Sequence, residues 1–250
     1  MPYETVAFQA ADDGVALSGW FIPAPHSNAT VLICHGISAN KSGLLNLVPF
    51  LHNAGFNVFL FDLRGHGDSA GHTTSYGYYE ARDVRGALRY LDSRPDCKRI
   101  GALAFSMGGS SLLHAIGDAP ELRGAVVDST FADLSTLADL QMDFLPKLLR
   151  RPLIAAVSAA TWLEIGVPLS AVSPRQHIAA VSPRPLLLIH GLADTLIPPS
   201  QARANFAAAR EPKQLWLVPG AGHCGADATD QVEYERRVTA FFRGCLGNRK

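Results

Sequence analysis

Ser106 stands in the pentapeptide Ala104-Phe105-Ser106-Met107-Gly108, after an apolar run and before a stretch of small residues that includes Gly109, Ser110 and Ser111. The pattern predicts a strand that turns sharply into a helix, with a hydroxyl at the turn. A turn of this kind forces the serine backbone into a sparsely populated conformation at a cost of about 1–3 kcal/mol, a strain that concentrates at functional sites. The bland reading, a tight strand-to-helix connection, carries no chemistry. A serine hydroxyl becomes an effective nucleophile only when a base takes its proton, and an imidazole base needs a carboxylate to fix its tautomer. Nine histidines compete for that role. His26 and His72 fall in expected loops, and His52, His114 and His177 fall on expected helices. His35, His66 and His190 precede glycines at or near strand ends, where structural turns are expected. His223 differs, because it lies in a small-residue loop, VPGAGHCGA, after the last apolar run, where an imidazole can point inward.

With this serine turn the sequence resembles the α/β-hydrolase superfamily, whose nucleophile sits in G-x-S-x-G between a strand and a helix. Ala104 replaces the first glycine, a mild departure where the position needs only a small side chain. The resemblance implies that the base comes from the loop holding His223 and that the acid follows the preceding strand. Asp194, in HGLADTLIP, fits the H-G-x-x-D-x-x-x-P pattern of the superfamily, and the order Ser106, Asp194, His223 is the superfamily's own. Asp128, in VVDST, is the rival, at a place from which some members draw their acid. The resemblance also implies two oxyanion donors, the backbone N–H of Met107 at the start of the next helix and that of Ile37 in CHGISANKSG. The loop FDLRGHGDSAG is similar to the family as well; Arg64 and Asp68 in it either contact substrate or pair with nearby charges.

Short apolar runs separated by amphipathic stretches must carry these residues. The segments ETVAFQA and VALSGWFIPA flank Asp12-Asp13-Gly14 and read as an antiparallel hairpin at a sheet edge. Nearly continuous apolar runs at 30–36, 57–65, 99–106, 122–130, 185–194 and 213–223 suit strands covered on both faces. Helical patterns lie between them at Leu44–Ala54, with a kink at Pro49, and at Tyr78–Asp92, Met107–Gly117, Pro199–Arg210 and Asp230–Phe242. The alternation predicts one α/β domain over residues 1–250, a mostly parallel, doubly wound, eight-stranded sheet with the N-terminal antiparallel hairpin. Residues 131–180 break the rhythm and read as a helical insertion after strand 6. Leu137, Leu140, Phe144, Leu145 and Leu148 follow helical spacing, a second helix starts with Pro152 in its first turn and stops at Gly166, and a third starts at Ser173-Pro174. The insertion is either a lid over an apolar cleft or packing against the sheet.

Composition limits the partners. The sequence has 22 Lys and Arg against 22 Asp and Glu, for a formal net charge of zero, and the basic residues are scattered. No field for nucleic acid or an acidic membrane surface is expected. No segment reaches the roughly 18 consecutive apolar residues of a spanning helix, and the first residues lack the pattern of an export signal, so the expectation is a soluble, cytoplasmic protein. Cys34, Cys97, Cys224 and Cys245 have no metal-ligand spacing and read as reduced thiols. Cys34 and Cys224 each adjoin a histidine, which raises a thiol nucleophile against the alternative of a buried filler.

The expected reaction is two-step acyl transfer without metal or organic cofactor, of the carboxylesterase type, on a small-molecule ester with an apolar acyl or aromatic group. A thioesterase, a C–C hydrolase or a peptidase would use the same residues. A ligand-binding protein of this fold without catalysis is the alternative from another class.

Overall fold

The computed structural model describes residues 1–247. Glu4–Gln9 (β1) and Ala16–Ile22 (β2) pair antiparallel, joined by a turn in which Asp12 and Gly14 both take positive φ. Ala29–Cys34 (β3) leads through a 3-10 segment, Lys41–Leu47, into Val48–Asn53 (α1) and then Asn57–Phe61 (β4). The kink expected at Pro49 is a change of helix type, with the proline in the first turn of α1, where its missing N–H costs nothing. Glu80–Ser93 (α2), Arg99–Phe105 (β5), Met107–Ala115 (α3) and Leu122–Asp128 (β6) follow.

The insertion holds Leu134–Gln141 (α4), Lys147–Ile165 (α5) and Pro174–His177 (α6). The chain returns through Leu186–Gly191 (β7), Pro199–Ala208 (α7), Lys213–Val218 (β8), Ala226–Thr229 (α8) and Gln231–Leu246 (α9).

Among the described residues one eight-stranded sheet runs β1-β2-β4-β3-β5-β6-β7-β8, antiparallel at β1–β2 and β2–β4 and parallel from β4 onward. Alternate residues of each central strand enter opposite cores. Leu32 and Cys34 of β3 and Leu186 and Leu188 of β7 pack with Val84, Leu88 and Leu91 of α2 and Leu112 of α3. Val31 and Ile33, with Leu187 and Ile189, pack with Leu51 of α1 and Tyr234, Val238 and Phe242 of α9. Each such fully buried large side chain contributes roughly 1.5–3 kcal/mol. The strands are shorter than their apolar runs because the runs continue into the turns that carry the site. β8 closes the sheet as an edge strand and is only partly covered, unlike the doubly covered strand its apolar run predicts.

Two expectations inside the insertion are corrected. The leucine spacing from Leu137 to Leu148 is not one helix, since α4 stops at Gln141 and Pro146 sits just ahead of α5. Pro152 does not begin a helix but lies inside α5. Proline removes the hydrogen bond to the carbonyl four residues earlier, here that of Leu148, a residue 87% exposed. Gly166 ends the helix as its spacing predicts, in the left-handed conformation, with its N–H donating to the Trp162 carbonyl at 2.8 Å. No single helix among the described residues is long and apolar enough to cross a membrane.

Candidate active site

Ser106 joins β5 to α3 with φ 49° and ψ −117°, a conformation disfavoured for any residue with a side chain. Neighbouring groups hold it there. Its N–H donates to the Asp128 carbonyl at 2.9 Å, and its own carbonyl accepts from Thr130 Oγ1 at 2.9 Å and from the Ser110 N–H at 3.2 Å. Gly108 and Gly109 let α3 start this close to the sheet: a Cβ on Gly108 would lie 2.4 Å from the His35 carbonyl oxygen, and one on Gly109 would lie 1.9 Å from Thr130 Oγ1.

The loop after β8 brings His223 across to this turn. His223 Nε2 lies 3.0 Å from Ser106 Oγ, and His223 Nδ1 lies 2.8 Å from Asp194 Oδ2. A carboxylate only accepts, so Nδ1 carries the proton and Nε2 is left to accept from the serine hydroxyl. Asp194 follows β7 in an Asx-type turn, its Oδ1 accepting from the N–H groups of Leu196 at 3.0 Å and Ile197 at 2.8 Å. Burial works to raise its pKa, but the bonds from His223 and Ile197 outweigh it and hold the carboxyl below its ordinary range. Asp128 does not touch the imidazole. It is fully buried behind the site, where Ser129 Oγ donates to its Oδ1 at 2.9 Å, and burial pushes its pKa up to about 7. Ser129, itself at φ 55°, accepts from the Cys224 N–H at 3.1 Å and so anchors the residue next to His223.

Ile37 and Met107 both line the space in front of Ser106. Gly36 permits the approach of the Ile37 loop, since a Cβ there would sit 3.2 Å from Ser106 Cβ. The first N–H groups of a helix have no acceptor within it, which describes Met107. His35, fully buried, fastens the same loop by accepting from the Leu63 N–H at 3.0 Å while Nδ1 faces the Gly36 carbonyl at 2.7 Å, and burial lowers its pKa to about 4. Arg64 and Asp68 face other charges. Arg64, 7% exposed, binds Asp83 and Asp13, and Asp68 binds Lys41, which also pairs with Asp62. Burial pushes the Cys34 and Cys224 thiols up, away from the thiolate form a sulfur nucleophile needs.

Two cavities meet at Ser106, Ile37 and Leu196. The first, of about 420 Å³, runs under the insertion and is walled by Phe131, Leu137 and Gln141 together with Val157 and Thr161 of α5. The second, of about 360 Å³, lies on the side of His223 and extends toward Asn46 and Asp227.

A family model described as the alpha/beta hydrolase family matches residues 31–234. The chain belongs to the alpha/beta hydrolase family. It is 35% identical over 253 residues to the uncharacterized Escherichia coli K12 protein YfhR, covering 97% of this chain and 81% of that one. It is 30% identical over 238 residues to the uncharacterized Bacillus subtilis protein YqkD, covering 92% and 76%. Among solved structures, the Pyrococcus furiosus esterase Pf2001 superposes with a TM-score of 0.79 at 26% identity, covering 98% of this chain and 94% of that one. As an alpha/beta hydrolase with esterase neighbours, this chain has the coarse activity of a hydrolase.

Sequence reasoning passed over several residues that shape this alpha/beta hydrolase site. Ser129 and Thr130 were legible only as strand-end residues, although both fasten site backbone. The walls at Phe131, Gln141, Val157 and Leu196 had no local signal, because a cavity is formed by elements whose mutual placement no short pattern encodes. Asp227 had none either.

Proposed function

We propose that this alpha/beta hydrolase is a carboxylesterase that acts through a Ser106-His223-Asp194 triad. The unbroken hydrogen-bond chain from Asp194 through the imidazole to a serine hydroxyl on a strained turn is the observation that carries this reading. His223 Nε2 takes the hydroxyl proton as Ser106 Oγ attacks the ester carbonyl, and Asp194 stabilises the imidazolium that forms. The oxyanion is held by the N–H groups of Met107 and Ile37, the former at a helix start whose dipole favours negative charge. Collapse of the intermediate expels the alcohol, which receives the proton from His223, and water then repeats the sequence on the acyl-enzyme. The apolar first cavity suits an acyl chain or aromatic acid, with α4 and α5 acting as its cap. Its size lies within the range of small-ligand pockets, about 300–1,000 Å³.

A fluorophosphonate probe tests the nucleophile directly. Wild-type protein takes up one label on Ser106 and hydrolyses p-nitrophenyl butyrate, and Ser106→Ala loses both. Labelling that persists in Ser106→Ala, on Ser110 or Ser111 for example, would overturn the assignment.

A further inference from the structure

We propose that the second cavity receives the leaving group of the ester and that Asp227 in its lining makes the enzyme select neutral or cationic alcohols over anionic ones. The inference rests on the acyl-transfer reading and adds to it the charge class of the substrate.

The direction of the substrate follows from where the proton must go. In acylation the Oγ–C bond forms, the C–O bond to the leaving group breaks, and the expelled oxygen takes the proton that His223 Nε2 received from Ser106. That oxygen has to lie within hydrogen-bond reach of Nε2. His223 lines the second cavity and not the first, while Ser106 and Ile37 line both. An ester seated with its carbonyl oxygen toward the Ile37 and Met107 N–H groups therefore sends its acyl part under α5 and its alcohol part past His223.

The second cavity has one sign of charge. Among the described residues lining it there is no lysine or arginine, and Asp227 supplies its carboxylate. The partner of that carboxylate is neutral: Asn46 Nδ2 donates to Asp227 Oδ2 at 2.8 Å. Beyond this pair a smaller cavity of about 160 Å³ continues along the surface, sharing Asn46 and Asp227 and adding Glu235, whose described hydrogen bond comes from Gln231 Nε2 at 2.9 Å. Among the described residues no ion pair includes Asp227 or Glu235. An alcohol bearing phosphate or sulfonate meets the Asp227 carboxylate, whose hydrogen-bond partner Asn46 is neutral, whereas a quaternary ammonium meets attraction and a neutral alcohol meets neither. Coenzyme A thioesters, with their phosphates on the leaving side, fall in the disfavoured class.

Three butyrate esters of similar size make the test, with the phenyl leaving group substituted at the meta position by trimethylammonium, tert-butyl or sulfonate. The readout is the ratio of kcat/KM for the cationic ester to that for the anionic one, so intrinsic leaving-group reactivity cancels between variants. At an effective dielectric between that of the protein surface and water, one charge acting across roughly 8 Å changes each rate severalfold, so the ratio falls at least about fivefold in Asp227→Asn. It falls further in Asp227→Lys, and the wild-type preference shrinks with added sodium chloride. Fluorophosphonate labelling of Ser106 in each variant shows that the site is still assembled. A ratio unchanged within about twofold in both labelled variants overturns the charge role and leaves the triad standing. A charge preference that appears instead with ω-charged acyl groups on a common p-nitrophenol overturns the assignment of the two cavities. Failure of the wild type to hydrolyse any of the three esters, with no labelling of Ser106, overturns the esterase reading and this inference together.

Discussion

Ser106 Oγ, His223 Nε2, His223 Nδ1 and Asp194 Oδ2 form a chain of contacts at 3.0 and 2.8 Å between side chains more than a hundred residues apart at the extremes. The two aspartates near this chain differ in environment, and the difference is measurable. Asp194 is held ionised by its bond to His223 and the Ile197 N–H, whereas Asp128 is sealed where burial favours its neutral form. Asp194→Asn leaves the imidazole without its orienting acceptor and should lower kcat by up to about 10⁴-fold, while Asp128→Asn stays within a few fold of wild type in the same steady-state assay. The opposite ranking would make Asp128 the acid. Stability gives a second readout on the Asp128 variant. A carboxyl whose folded-state pKa is raised from 3.8 to about 7 contributes stability that is complete below the ordinary value and lost as pH rises through the raised one. Asn cannot ionise, so the melting temperature of Asp128→Asn should gain on wild type at about pH 8 and match it at about pH 4, by thermal melts at both.

Among elements, α5 joins the insertion to the site. Val157 and Thr161, one turn apart, face the first cavity, while Leu148 and Leu163 stay on the outer side at 87% and 78% exposure. Val157→Trp places an indole across the cavity and leaves Ser106 and His223 untouched. Its kcat/KM for p-nitrophenyl octanoate should fall about tenfold or more relative to acetate, because a filled pocket rejects each excess methylene at a cost of roughly 1–3 kcal/mol. An unaltered chain-length profile would separate the cap from acyl selection. The misplacement of this helix in the sequence reading has a definite cause. Pro152 is a valid first-turn residue, and periodicity alone cannot tell that Pro146 is the one that starts the helix.

Across the whole molecule, Arg64 ties three distant segments together. Its guanidinium reaches Asp83 of α2 at 2.6 Å and Asp13 of the hairpin turn at 2.9 Å, from the loop after β4. It lines neither cavity at Ser106 and serves the frame. Arg64→Ala strands the fully buried Asp83 carboxylate, and breaking a buried pair from one side costs about 3–5 kcal/mol. For a chain of this size that lowers Tm by about 10 °C. Below the new Tm, KM for neutral esters should hold, and a large rise in KM with an unchanged Tm would reassign Arg64 to substrate binding. The same reach explains why a loop that carries Arg64, His66 and Asp68 looks like a binding motif in sequence and is structural in three dimensions: its partners lie in other elements.

Much of this protein was legible in its residues. The period-two and continuous apolar runs mark the eight strands, because a strand buried on both faces must be mostly apolar, and the small residues around Ser106 mark the sharp turn, because α3 packs close against β3 and β6 there. Ser106 and His223 stand out in small-residue turns that follow apolar runs, whereas Asp194 stands out through the superfamily pattern that HGLADTLIP resembles. That pattern favours Asp194 over Asp128, but the contact with the imidazole is made only in the folded chain. Asp128 ends β6, whereas Asp194 lies in the loop past the end of the adjacent parallel strand β7, where an Asx turn aims it at His223. The two cavities, and the lone carboxylate of Asp227 along one of them, were likewise decided only by tertiary structure, since a cavity is the space left between elements and its charge is the sum of side chains from several of them.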